Sequence, residues 1–116
     1  MTIDEKIKLI AKTLDEKKAE NIQIIRVNDL TVIADYFIIA TGNSTTQARS
    51  LADYVEFKLG EIKPHHTEGY DTKEWIVLDY GDIIVHVFNK DTREFYKLER
   101  LWSDGEILDL NTVLGG

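Results

Sequence analysis

Two aspartates and a histidine are spaced closely enough to suggest acid–base or metal chemistry. Asp79 and Asp82 flank Gly81 at a turn, and His86 follows on the next predicted strand. Carboxylate and imidazole groups transfer protons near neutral pH and bind divalent metals. The spacing is not specific, because acidic residues beside a turn are commonly solvated and a strand histidine commonly bonds a neighbour. The solvated turn is therefore the simpler interpretation.

A second candidate metal cluster contains His65, His66, Glu68 and Asp71. Adjacent side chains on a strand point to opposite faces, so the two histidines can share one ion only from a loop. No ligand spacing repeats elsewhere, and the sequence predicts neither a metal nor a cofactor. The chain has no cysteine, which excludes disulfides, thiolate metal sites and cysteine nucleophiles.

The segment 41–44, Thr-Gly-Asn-Ser, enters a predicted helix and has two interpretations. A strand, a Gly and Ser turn and a helix follow one another in nucleotidyltransferases, and helix N-termini bind anions. The lysine and glycine spacing of a P-loop is absent. The carboxylate pair that would hold two metal ions is also missing, because Asp53 is followed by Tyr54 and Val55. We interpret Ser44 as a helix N-cap, with a degenerate nucleotide-binding domain as the alternative.

The charge balance limits the classes of partner. The 116 residues include 14 Lys and Arg against 21 Asp and Glu, giving a net charge of -7. Phosphate backbones repel such a chain, so we predict little direct nucleic-acid contact and favour a basic protein partner. No apolar run approaches the roughly 18 residues needed to span a membrane. The N-terminus lacks signal or transit features, and we predict one cytoplasmic domain over residues 1–116.

The apolar spacing predicts a mixed α/β fold. Amphipathic helices are predicted at 2–18, at 44–59 and from Asp91 onward. The first two have capping boxes, and Glu94 is the predicted capping partner of Asp91. The last helix is predicted to bury Phe95, Leu98, Leu101 and Trp102, and the chain after Gly105 to be a short tail. Strands are predicted at 22–27, 36–40, 75–80 and 83–88.

The last two strands form a predicted hairpin whose side chains alternate between two faces. The parity is the same whether Asp79 faces Asp82 or Tyr80 faces Ile83. One face is aliphatic and is predicted to be core: Ile76, Leu78, Ile83, Val85 and Val87. The opposite face is mixed: Trp75, Val77, Asp79, Asp82, Ile84, His86 and Phe88. Because aromatic anchors with polar neighbours are typical of interface hot spots, we predict that this face is covered by a helix or offered to a partner.

Six segments of the chain together resemble the ribosomal silencing factor, or Iojap-like, family. In order they are 34–44, 47–52, 75–82, 85–88, 93–96 and 98–102, which contain Ala-Asp-Tyr-Phe, Trp-Ile-Val-Leu-Asp-Tyr-Gly-Asp and Leu-Glu-Arg-Leu-Trp. The resemblance covers nearly the whole chain up to Trp102. It is far more specific than any single motif above.

The resemblance implies a factor that is not an enzyme and that binds the large ribosomal subunit through ribosomal protein fourteen. Binding there would block joining of the small subunit and repress translation under nutrient limitation or in stationary phase, and organelle relatives are linked to large-subunit assembly. The implied fold is a small mixed sheet of about five strands flanked by helices, similar to nucleotidyltransferases without their catalytic residues. A homodimer is implied for the free protein. The implied partner-binding residues are Trp75, Asp79, Tyr80, Asp82, His86, Tyr96, Glu99 and Trp102.

Overall fold

The protein folds as a six-stranded mixed sheet with helices on both faces. The computed structural model describes residues 1–115. Gly116, the last residue of the predicted domain, lies outside the described residues. The elements are α1 (Ile3–Glu16), β1 (Glu20–Arg26), β2 (Tyr36–Gly42), α2 (Thr45–Leu59), β3 (His66–Glu68), β4 (Trp75–Asp79), β5 (Ile83–Asn89), α3 (Lys90–Tyr96), α4 (Leu98–Leu101), β6 (Glu106–Leu108) and α5 (Leu110–Gly115). Across residues 1–115, no helix combines the length and apolar character that a membrane span requires.

The sheet order is β3-β4-β5-β2-β1-β6. The central pair, β2 and β5, is parallel, whereas the other neighbouring strands are antiparallel. Because parallel strands need a crossover, the chain passes through α2 and the β3–β4 edge between them. The mixed α/β fold predicted from the sequence is confirmed.

The first two helices begin where their caps predict. The Thr2 hydroxyl accepts from the Glu5 amide at 3.1 Å and Glu5 accepts from the Thr2 amide at 2.9 Å, so the predicted capping box of α1 is confirmed. Ser44 caps α2 by accepting from the Gln47 amide at 3.1 Å. The Gln47 side chain accepts from the Asn43 amide at 2.6 Å rather than from Ser44, so the second box is only half formed.

Gly42 is required by the close approach of β2 to α2. A Cβ atom at this position would lie 2.7 Å from the Ala48 amide nitrogen, a distance that real Cβ atoms do not reach. Packing at Gly42 and capping by Ser44 together account for the segment 41–44 without a ligand. The interpretation of Ser44 as an N-cap is confirmed.

We expect Ser44→Ala to lower the free energy of unfolding by about 1 kcal/mol, because the Gln47 amide loses its acceptor. Urea denaturation followed by circular dichroism measures this loss. Ser50→Ala is the matched control, since Ser50 is exposed within α2 and alanine is a better helix former there. Equal midpoints for the two variants would contradict the capping role.

The larger core lies between the sheet and the pair α1 and α2. The aliphatic hairpin face is fully buried in it, as predicted: Ile76, Leu78, Ile83, Val85 and Val87 are each 0% exposed. The predicted α2 stripe is buried as well: Ala48, Leu51, Ala52, Val55 and Leu59. A smaller core on the opposite face contains Ile25, Val27, Ala34, Phe37, Ile39, Ile84, Phe88 and Leu98.

The last predicted helix is divided in two, which corrects the prediction. Its first part begins after Asn89, whose side chain accepts from the Thr92 amide, rather than at Asp91. Lys97 adopts a left-handed conformation (φ 49°) that separates α3 from α4. Within α3 the buried residue is Arg93, which turns Phe95 outward, and the break at Lys97 changes the helical phase of α4. Phe95 and Leu101 are therefore not core residues and are 77% and 75% exposed.

The chain after Gly105 is not a loose tail, and the prediction for it is wrong. Strand β6 pairs antiparallel with β1, with Ile24 opposite Leu108 and Arg26 opposite Glu106. Helix α5 then packs its apolar side chains, including Val113, against the larger core. Strands β3 and β6 make the sheet six strands wide rather than about five. Three-residue strands are too short for an alternating pattern, so the neighbouring strand determines where they form.

Candidate protein-binding surface

The outer face of the β4–β5 hairpin is only partly covered. Trp75 lies opposite Phe88 and Val77 opposite His86, and this face of β4 is half-buried. The β5 side chains beneath are buried, with His86 7% exposed and Phe88 0% exposed. Trp102, just after α4, lies edge-on to Phe37 of β2 with ring centroids 4.9 Å apart. The predicted helical cover is present over β2, whereas the β4 row is half-exposed, and its contact with a partner stays a prediction.

Three aromatic side chains form a continuous surface at one end of this face, which we call the aromatic patch: Trp75, Tyr96 and Phe95. The Trp75 ring stacks on Phe88 at 4.8 Å and contacts the Tyr96 ring at 5.0 Å. Tyr96 meets Phe95 edge-on at 5.0 Å. Large, half-exposed aromatic side chains on a rigid support are the residues that most often anchor protein partners. Phe95 was missed by the sequence prediction, because a continuous helix would have turned it inward.

His86 lies beneath the aromatic patch. Its Nδ1 atom accepts a hydrogen bond from the Trp75 indole Nε1–H at 3.1 Å. Burial lowers the pKa of His86 to about 4, and the charge of Asp79 opposes part of that shift. The imidazole is therefore neutral at pH 7, as its role as an acceptor requires. His86 is only 7% exposed, and its hydrogen bond to Trp75 connects it to the aromatic patch.

The burial of neutral His86 predicts acid sensitivity. Between pH 6.5 and about 4, the unfolded state takes up a proton at this histidine and the folded state does not. Lowering the pH through this window therefore reduces the free energy of unfolding. Urea midpoints measured from pH 7 to pH 4 should fall more steeply for the natural protein than for His86→Leu. Parallel curves for the two proteins would contradict the assignment.

The candidate acid–base trio is not assembled. Asp79 Oδ1 accepts from the Gly81 amide at 2.8 Å and so caps the turn. Asp82 Oδ2 lies 2.5 Å from Nζ of Lys6 on α1. The prediction that Asp82 shares the outer face is wrong, because strand alternation ends at the turn and Lys6 attracts the carboxylate toward α1. His86, the third member, is bonded to the indole.

The second candidate cluster is exposed at the β3 edge of the sheet. His66 Nε2 lies 3.1 Å from Glu68 Oε1. His65 precedes β3, and its imidazole packs near Gly81. Over the described range 1–115, no three His, Asp or Glu side chains are grouped as metal ligands.

The remaining predicted binding residues are divided between the two faces. Tyr80 is 5% exposed and belongs to the larger core, on the face opposite Trp75, where burial raises the pKa of its hydroxyl. Glu99 points toward Arg93, with a carboxylate oxygen 3.3 Å from Nε. Tyr96 belongs to the aromatic patch. Asp79 is the last residue of β4, the strand that also carries Trp75. Trp102 is half-buried and extends the aromatic contacts across β2.

Arg93 is a buried charge that sequence reasoning missed. Its Nη1 donates to the Asn21 carbonyl at 2.5 Å and to Thr41 Oγ1 at 2.8 Å, while Nε faces Glu99. The side chain therefore ties α3 to the adjoining ends of β1 and β2. No pattern within the helix marks it, because its acceptors come from distant parts of the chain. By fixing α3, Arg93 also supports Tyr96 and Phe95.

Together, the mixed sheet and the aromatic patch define a small α/β protein whose best-formed candidate site is an exposed aromatic surface. A family model described as "Ribosomal silencing factor during starvation" matches residues 1–114. The chain belongs to the ribosomal silencing factor family. The family resemblance carried by the sequence motifs is thereby confirmed.

Individual relatives agree with this assignment. The chain is 38% identical over 107 residues to the ribosomal silencing factor of Bacillus subtilis strain 168, covering 90% of this chain and 91% of that protein. It is 30% identical over 102 residues to "Mitochondrial assembly of ribosomal large subunit protein 1" of Mus musculus, covering 84% of this chain and 45% of the mouse protein. A crystal structure of a Chromobacterium violaceum protein has a TM-score of 0.85 at 34% identity, covering 89% of this chain and 88% of that chain.

Proposed function

We propose that this protein represses translation by binding the large ribosomal subunit and blocking joining of the small subunit. Its membership of the ribosomal silencing factor family supports a regulatory role. The name of the mouse relative supports the large subunit as the target. The observation that carries the proposal is the aromatic patch, a preformed anchor for a protein partner on a member of this family.

The partner that fits this surface is a basic ribosomal protein, and we propose large-subunit ribosomal protein fourteen from the family resemblance. Trp75 supplies a large apolar area on a rigid support, since Phe88 and Tyr96 flank its ring. The net charge of -7 favours a basic partner, and Asp79 supplies a carboxylate on the same face as Trp75. Complementary charge increases the association rate and fixes orientation, while the aromatic anchor slows dissociation.

Silencing of this kind needs no catalytic step. The protein has only to occupy the face of the large subunit that meets the small one, for longer than the subunits take to collide. We therefore propose a cytoplasmic factor that is not an enzyme, acts as one domain over residues 1–116, and is a homodimer when free. Repression under nutrient limitation or in stationary phase is part of the same proposal.

Sedimentation of purified bacterial ribosomal subunits tests this function. We expect the protein to co-sediment with large subunits but not with small ones, and to reduce formation of joined ribosomes as its concentration rises. Incubating the protein with small subunits first should not inhibit subunit joining more than its binding to large subunits explains. Unchanged joining at saturating protein, or no retention on large subunits, would refute the proposal.

A further inference from the structure

We infer that His86 is a positioning residue for the aromatic patch: its buried imidazole fixes the indole of Trp75 in the orientation that the partner recognises. The inference rests on the proposed function, because it concerns the surface that binds the large subunit. It also changes the role of His86 from a contact residue, as the family resemblance implied, to a support that the partner never touches.

The geometry gives the imidazole one polar contact with a surface residue. Trp75 Nε1 lies 3.1 Å from His86 Nδ1, and His86 is only 7% exposed. The imidazole is held in turn by the Phe37 ring, whose centroid lies 4.9 Å away at an angle of 71°. The indole is therefore fixed by stacking on Phe88 and by a directional bond from a ring that is itself packed in place.

The protonation state of the ring argues against a role in packing alone. A neutral imidazole that accepts at Nδ1 carries its proton at Nε2. Within the part of the chain that the structure describes, His86 Nε2 is buried and has no hydrogen-bond partner. An unpaired buried N–H group is costly, and an aliphatic side chain of similar size would avoid that cost. An aliphatic side chain cannot accept the hydrogen bond from the Trp75 indole, whereas the imidazole can.

The free protein supplies the first test. In a Trp102→Phe background, the single remaining indole N–H signal in a nitrogen-15 NMR spectrum belongs to Trp75. We expect His86→Leu to increase its solvent exchange rate several-fold while the circular dichroism melt stays cooperative. His86→Asn places an oxygen near the position of Nδ1 and should restore slow exchange. Equal exchange rates in all three proteins would overturn the inference.

Binding to purified large ribosomal subunits supplies the second test. Without the hydrogen bond, binding must order the indole at a cost of up to about the free energy of that bond. We therefore expect up to about a fivefold weaker affinity for His86→Leu, and His86→Asn should recover most of it. In a Trp75→Phe background, which has no indole N–H, His86→Leu should change the affinity by less than about twofold. The same fivefold loss in that background would show that His86 acts independently of the indole and would overturn the inference.

The two tests separate the positioning role from the proposed function. If the natural protein does not bind large subunits, the proposed function fails, while the indole exchange rates still decide whether His86 positions Trp75. If binding occurs and exchange is insensitive to His86, the function stands and the positioning role fails.

Discussion

Trp75→Ala is expected to weaken binding to large ribosomal subunits by about 30-fold or more, the effect of losing an interface hot spot worth about 2 kcal/mol or more. The substitution removes the largest side chain of the aromatic patch and the ring that Tyr96 contacts at 5.0 Å. Because Trp75 is only half-buried, the fold should persist. Affinity measured by sedimentation or surface binding, together with a circular dichroism melt, gives both readouts.

The matched control for this variant is Phe57→Ala. Phe57 is 77% exposed on α2, the helix that packs on the opposite face of the sheet. Its removal deletes a comparable exposed aromatic area and should leave affinity within about twofold of the natural protein. A collapsed melt for Trp75→Ala would show that the indole is structural. Equal losses for both variants would show that the partner uses a different surface.

Removing the buried charge at Arg93 is expected to produce the largest loss of stability. We expect Arg93→Met to lower the free energy of unfolding by about 3 kcal/mol, the lower end of the range for breaking a buried ion pair. The lower end applies because the Glu99 side chain is 24% exposed and can be rehydrated, whereas the Arg93 side chain is 7% exposed. The Asn21 carbonyl and the Thr41 hydroxyl both lose their donor.

Arg100→Met is the control for charge, since Arg100 is an exposed arginine on the adjacent helix. It should change the free energy of unfolding by less than about 0.5 kcal/mol. Urea denaturation of both variants measures the difference. A loss below about 1 kcal/mol for Arg93→Met would mean that the buried network is energetically neutral and that other contacts hold α3 in place.

The sequence was most informative where structure depends on local periodicity. The capping box at Thr2 and Glu5, the α2 stripe and the aliphatic face of the hairpin all follow from spacing within one element or one tight turn. Helical period, capping and strand alternation are properties of a few consecutive residues, so a single sequence contains them. Trp75 was placed correctly on the non-aliphatic face for the same reason.

Predictions failed where a distant residue decides the outcome. Asp82 turns toward Lys6, a contact across 76 positions of the chain, and so leaves the face that alternation assigns to it. Phe95 becomes exposed because Lys97 breaks the helix and Arg93 takes the inward position. Strand β6 forms because the free edge of β1 pairs with it.

The sequence by itself determined the mixed α/β class, the larger core, the family and the tryptophan that anchors the candidate surface. Only the tertiary structure decided that Tyr80 and Asp82 lie away from that surface, that Phe95 joins it and that His86 supports it from below. The division has one physical cause. Alternation and amphipathic spacing specify which way a side chain points from its own backbone, whereas exposure and hydrogen bonding depend on what the folded chain places opposite it.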